Sequence, residues 1–147
     1  MSSHIKRGKR CFIDTNVFLR TLVREDPRVH EESLALMRAI RIGKVYAYTS
    51  PTVLAEVLWV LQSFYKLPKQ ETIDALYSIV RLRHLKIESH EQVPVALELY
   101  EHHSIKFIDA LIASDGRILQ GTLPLVSYDK EFNRVPGVVR YEPKELL

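Results

Sequence analysis

The sequence predicts an α/β fold, a mostly parallel sheet covered by helices on both faces, and three observations carry that expectation. Short apolar runs that read as strands alternate along the chain with longer segments of helical periodicity. Two of the runs, residues 10–13 and 123–126, give way abruptly to hydroxyls and carboxylates. Strands of open α/β sheets do this where their carboxyl ends border a ligand crevice. The helical segments carry their own punctuation, Asp26-Pro27, Gly43, Ser50-Pro51 and Gly121, which marks where strand and helix exchange. Right-handed crossovers then make neighbouring strands parallel.

The first strand is Arg10-Cys11-Phe12-Ile13, and Asp14-Thr15-Asn16 follows at once, bringing a carboxylate, a hydroxyl and an amide to the sheet edge. Residues 17–23 form a short helix. After the Asp26-Pro27 start signal, Val29, Ala35, Leu36, Met37 and Ile40 give the next helix one apolar face as far as Gly43. Val45-Tyr46-Ala47-Tyr48 is the second strand. The helix from about residue 51 to 65 is apolar at every position between 53 and 61 except Glu56. A helix apolar all round is buried, and an ionised carboxylate there needs a cation, hydrogen bonds or a raised pKa. The alternative is that Glu56 marks the one wet stripe. Trp59 is expected in the core, with Phe64 and Tyr65 left open between core and dimer interface.

Leu67-Pro68 closes that helix, and residues 69–82 supply a fourth with Ile73, Leu76, Ile79 and Val80 on its buried face. Residues 85–88 alternate like a short third strand. Pro94 suits the first turn of a helix over 95–103, on which the adjacent His102 and His103 point apart and make a poor metal pair. One further helix is expected from Phe107 to Gln120. Asp109 in its first turn serves as a cap, as a partner for the helix dipole, or as a chemical group. Residues 123–126 are the fourth strand, ending in Ser127 and Asp129, although Asp129-Lys130 also reads as an ordinary turn. Residues 138–141 form a weak last strand and 142–147 a loose tail.

Composition sets the outer bounds. A chain of 147 residues suits one domain with one core. No run approaches the roughly 18 apolar residues of a membrane span, so a soluble protein without membrane partners is expected. The single cysteine, Cys11, excludes an internal disulfide and fits a reducing compartment. Lys6, Arg7, Lys9 and Arg10 lead into no apolar segment of the secretory kind, and a cytoplasmic location is expected. The net charge of +3 is too mild to diagnose nucleic-acid binding. The basic clusters at 6–10 and at Arg81, Arg83, His84 and Lys86 are either solvated surface or a phosphate-binding fringe.

Four carboxylates stand out by position: Asp14, Glu56, Asp109 and Asp129. Gathered by the fold, they could not all stay ionised without cations, because like charges raise one another's pKa. Oxygen ligands select hard cations, Mg²⁺ or Mn²⁺. Such ions activate water and neutralise a phosphodiester, and that is nuclease chemistry.

The motifs Asp14-Thr15-Asn16 after a strand, Glu56 in the helix after the second strand, Phe107-x-Asp109-Ala110-Leu111-Ile112-Ala113 and Ser127-x-Asp129-x-x-Phe132 resemble, in order and spacing, those of PIN domains, most closely the VapC-type ribonuclease toxins. The resemblance covers about residues 10–142, leaving a basic N-terminal arm over 1–9 and a tail over 143–147. It implies a three-layer fold with a five-stranded, mostly parallel sheet, Mg²⁺- or Mn²⁺-dependent endoribonuclease activity, a homodimer, and a small antitoxin protein as partner. It further implies that Asp14, Glu56, Asp109 and Asp129 bind the metal, with Thr15, Asn16 and Ser127 as polar supports. Asp14, Asp109 and Glu56 would anchor the catalytic ion, and Asp129 would hold a second ion or position the water. Ser127 stands where the family often has threonine, and Asp115 where it often has alanine; on a continuous helix Asp115 would face another side. Two other readings compete. A non-catalytic module would use the same fold to bind RNA or protein, without needing four mutually repelling acids. A phosphatase of the haloacid dehalogenase type wants a second aspartate where this chain has Asn16.

Overall fold

Strand β1 (Lys9–Phe12) opens the part of the chain that the computed structural model describes, residues 9–89 and 91–146. Most of the expected basic arm, residues 1–8, lies outside the described residues. The chain divides into two compact units, Met1–Glu88 and Ser89–Leu147.

In the first unit β1 is followed by α1 (Thr15–Leu22), α2 (Pro27–Arg41), β2 (Val45–Thr49), α3 (Pro51–Ser63), α4 (Lys69–Val80) and β3 (Leu85–Ile87). The strands lie in the order β1-β2-β3, all parallel, with Phe12 opposite Tyr48 and Thr49 opposite Ile87. Each crossover is a pair of helices. The start signals act as read: Asp26 accepts the backbone N–H groups of Arg28 and Val29 with Pro27 at the first helical position, and Ser50 accepts that of Val53 beside Pro51. Gly43 ends α2 at a φ of +81°, where a side chain would be strained. Phe18, Ile40, Leu54, Leu61, Ile73 and Leu76 form the centre of this unit's core.

Two expectations change here. Helix α1 begins at Thr15, two residues early, because Asp14 caps it through its own side chain. Trp59 is 65% exposed and does not enter the core. Val53, Leu54, Val57, Leu58 and Leu61 supply the buried side of α3, while Thr52, Glu56, Trp59 and Ser63 recur at helical spacing on its wet side. Glu56 therefore belongs to the exposed stripe.

The second unit contains α5 (Gln92–His102), α6 (Phe107–Ala113), α7 (Gly116–Leu119), β4 (Leu125–Val126), a 3₁₀ turn (Lys130–Arg134), β5 (Arg140–Tyr141) and a second 3₁₀ turn (Pro143–Leu146). Val93, Leu97 and Ala110 are fully buried, and Tyr100 meets Phe107 edge to face at 5.8 Å. The helix expected over 107–120 is two helices. Ser114 turns its hydroxyl back to the Leu111 carbonyl at 2.6 Å, and Asp115 restarts the chain by accepting the Arg117 backbone N–H. Asp115 is thus the cap of α7, not a side residue of a longer helix. The supposedly loose tail forms the second 3₁₀ turn.

All five expected strands are present and run parallel to their partners; among the described residues they pair as a sheet of three and a β4–β5 ladder of two. With two residues each, β4 and β5 offer only a short ladder. Glycines fix the loops beside it. Gly121 and Gly137 have φ of +77° and +93°, and a Cβ on Gly137 would collide with the Leu119 carbonyl.

Candidate metal centre and acid sites

At the carboxyl end of β1 the backbone is held from two sides. The Ile13 N–H donates to the Tyr48 carbonyl at 2.8 Å, and the fully buried Thr49 donates its hydroxyl to the Ile13 carbonyl at 3.0 Å. The next residue, Asp14, is exposed. One oxygen accepts the Thr15 backbone N–H at 2.8 Å. Thr15, only 3% exposed, donates its hydroxyl to Oε2 of Glu56 at 2.8 Å. Thr15 of the polar triplet after β1 thus meets the acid of α3, and Asn16 and Glu56 line one pocket of about 260 Å³. Across that pocket Arg20 pairs with Glu25 at 2.7 Å. Burial and a hydrogen bond to Glu25 push the Tyr65 phenol up from its ordinary pKa.

The second unit gathers Asp109, Asp129 and one residue that the sequence reading missed, Glu131. Asp109 lies in the first turn of α6 and is 9% exposed. The Ser127 hydroxyl accepts the Asp129 backbone N–H at 3.0 Å, and Asp129 accepts that of Glu131 at 2.9 Å, which folds the strand end into the 3₁₀ turn. The backbone of Ser127 is fixed in turn by Arg140, which donates to its carbonyl at 2.7 Å. The sequence signal for Glu131 is weak: an acid capping a turn draws back the backbone N–H two positions on, and nothing local brings the Glu131 side chain to Asp109.

One oxygen from each of Asp109, Asp129 and Glu131 lies within 4.8 Å of the others. Asp109 Oδ2 and Glu131 Oε2 are buried without a hydrogen-bond partner. Burial first, then the charges of Asp129 and Glu131, raise the Asp109 pKa, with Lys106 opposing. Two ionised carboxylates can only accept, so Asp109 and Glu131 hydrogen-bond each other only when one holds a proton. Buried orphan oxygens of this kind are costly, and a hard divalent cation satisfies them. The donor set fits Mg²⁺ or Mn²⁺. Neither His102 nor His103 joins it.

The predicted site residues therefore fall into two local groups, Asp14, Thr15, Asn16 and Glu56 in the first unit and Asp109, Ser127 and Asp129 in the second.

A family model described as the PIN domain matches residues 11–138. A comparison with curated proteins found no match. Among solved structures, the chain is similar to one in the crystal structure of VapBC2 from Rickettsia felis, bound to a DNA fragment from their promoter. The identity is 17%, the alignment covers 90% of this chain and 98% of that one, and the TM-score is 0.36.

Proposed function

This chain belongs to the PIN domain family, and on that premise we propose that it is a metal-dependent endoribonuclease of the VapC type, the toxin of a toxin–antitoxin pair. The observation that carries the metal requirement is the pair of buried, unpartnered oxygens on Asp109 and Glu131 beside Asp129. When bound, Mg²⁺ or Mn²⁺ supplies charge neutralisation at the phosphodiester and lowers the pKa of a water.

The protein's own groups do the placing. Asp14 caps α1 through one oxygen at the end of β1, Thr15 orients Glu56, and Ser127 fixes the backbone that carries Asp129. In this reading Asp14, Glu56, Asp109 and Asp129 are the metal-binding and catalytic acids, Glu131 adds a donor, and Thr15, Asn16 and Ser127 support them. Hydrolysis leaves a 5′-phosphate and a 3′-hydroxyl. The reading brings RNA as substrate, a homodimer, a small antitoxin protein that blocks the site, and the cytoplasm as location. The nuclease domain spans 10–142, between the basic arm and the tail. Among the described residues no helix is long and apolar enough to cross a membrane.

The test is cleavage of single-stranded and structured RNA by the purified protein in Mg²⁺, Mn²⁺ or EDTA, beside Asp14→Asn. Metal-dependent cutting that the variant lacks is expected. No cutting by either protein, with no shift of melting temperature by Mn²⁺, would replace this reading with a non-catalytic binding module.

A further inference from the structure

The pocket beside Glu56 has a chemistry of its own. Phe64, just past the end of α3, is 70% exposed, and Tyr65 holds it in a perpendicular ring contact at 5.0 Å between centroids. Arg20 is paired with Glu25, so among the described residues the pocket offers no unpaired cation to hold a phosphate by itself, and any phosphate beside Glu56 would depend on the bound ion. The Asn16 amide, exposed at the rim, makes no hydrogen bond among the described residues and offers both a donor and an acceptor. At about 260 Å³ the pocket is smaller than the roughly 300–1,000 Å³ of drug-sized ligand sites, so it suits one small ring system. A neutral, planar group with donors and acceptors along its edge meets all these conditions.

We propose that this pocket receives one unpaired base of the RNA, stacked on Phe64 and read along its edge by Asn16, with Glu56 at the boundary between base and acid site. The proposal rests on the ribonuclease reading and adds to it a subsite for substrate choice. Single-stranded RNA is commonly recognised by stacking splayed bases on aromatic rings and hydrogen-bonding their edges. Asn16 suits adenine best, since an asparagine amide can pair with its N6 and N7 together.

The experiment measures binding of a short single-stranded RNA in EDTA, together with its abasic counterpart of equal length, to wild type, Phe64→Ala, Phe64→Leu and Phe64→Trp. Stacking on an aromatic ring predicts that Phe64→Ala and Phe64→Leu each bind intact RNA about tenfold or more weakly, and that Phe64→Trp retains binding. Wild type should discriminate intact from abasic RNA by a similar factor, and Phe64→Ala should not. Equal binding of both RNAs by wild type overturns the proposal. So does unchanged RNA binding by Phe64→Ala in a protein that has passed from dimer to monomer, because Phe64 would then be an interface residue. Cleavage in Mg²⁺ separates the two readings. Metal-dependent cutting with an unaltered KM in Phe64→Ala removes the base pocket and keeps the nuclease; base-dependent binding without any cutting removes the nuclease and keeps the pocket.

Discussion

Thr15 gives its hydroxyl to Glu56 at 2.8 Å, joining the first turn of α1 to the exposed stripe of α3 across 41 residues of sequence. A buried hydroxyl thereby orients a carboxylate that reaches solvent. Thr15→Val keeps the shape and removes the donor. It is expected to cost about 1–2 kcal/mol of stability in denaturant titration and to lower RNA cleavage, whereas Thr15→Ser retains both. Full activity in Thr15→Val would show that Glu56 needs no such support.

The raised pKa of Asp109 makes a signed prediction for the metal-free protein. A folded-state pKa above the unfolded value means that the native state holds the proton more tightly. The stabilisation is complete below the unfolded value of about 3.9 and is lost as pH rises through the folded one. Asp109→Asn, which carries no charge, should therefore melt higher than wild type in EDTA at neutral pH, with the gap closing in acid. Equal melting temperatures across the whole range would mean that the buried carboxylate carries no penalty.

Divalent cations should reverse that order. Mn²⁺ at about 100 times its Kd stabilises a single-site protein by about 2.7 kcal/mol. Wild type is expected to gain on this scale in a thermal melt, and Asp109→Asn and Glu131→Gln to gain far less, with EDTA restoring the starting values. A Glu131→Gln variant that responds as wild type does would confine the donor set to the aspartates.

Two glycines of the second unit should respond in opposite ways to the same change. A methyl group on Gly137 meets the Leu119 carbonyl at a φ of +93°, so Gly137→Ala should cost about 1–3 kcal/mol. At Gly116, the start of α7, an added methyl group would meet nothing within 4 Å, and Gly116→Ala should be neutral or stabilise by up to about 1 kcal/mol. Chemical denaturation of the two variants checks both signs.

Much of this arrangement was legible because local chemistry marks it. The Asp26-Pro27 and Ser50-Pro51 caps, the stop at Gly43 and the polar triplet after β1 all follow from residue types acting on their nearest neighbours. What escaped depends on competition or on distance. The break after Ala113 arises because Ser114 and Asp115 offer the backbone hydrogen bonds that a continuing helix would have made. Trp59 is exposed because the other side of α3 already carries enough apolar surface, a balance invisible in a run where nearly every residue is apolar. Glu131 escaped because its importance lies in three dimensions, in the approach of Asp109 from a different helix.

The Thr49 hydroxyl reaches the Ile13 carbonyl across 36 residues, and this gives the acid at position 14 a timetable. Asp14 is made before Thr49, and the hydrogen bond that holds the backbone before it cannot form until β2 has been synthesised and has docked on β1. At roughly 5–20 residues per second, that interval lasts seconds. A chain interrupted before Thr49 would lack the hydroxyl that holds the Ile13 carbonyl and would carry Asp14 on an unplaced backbone.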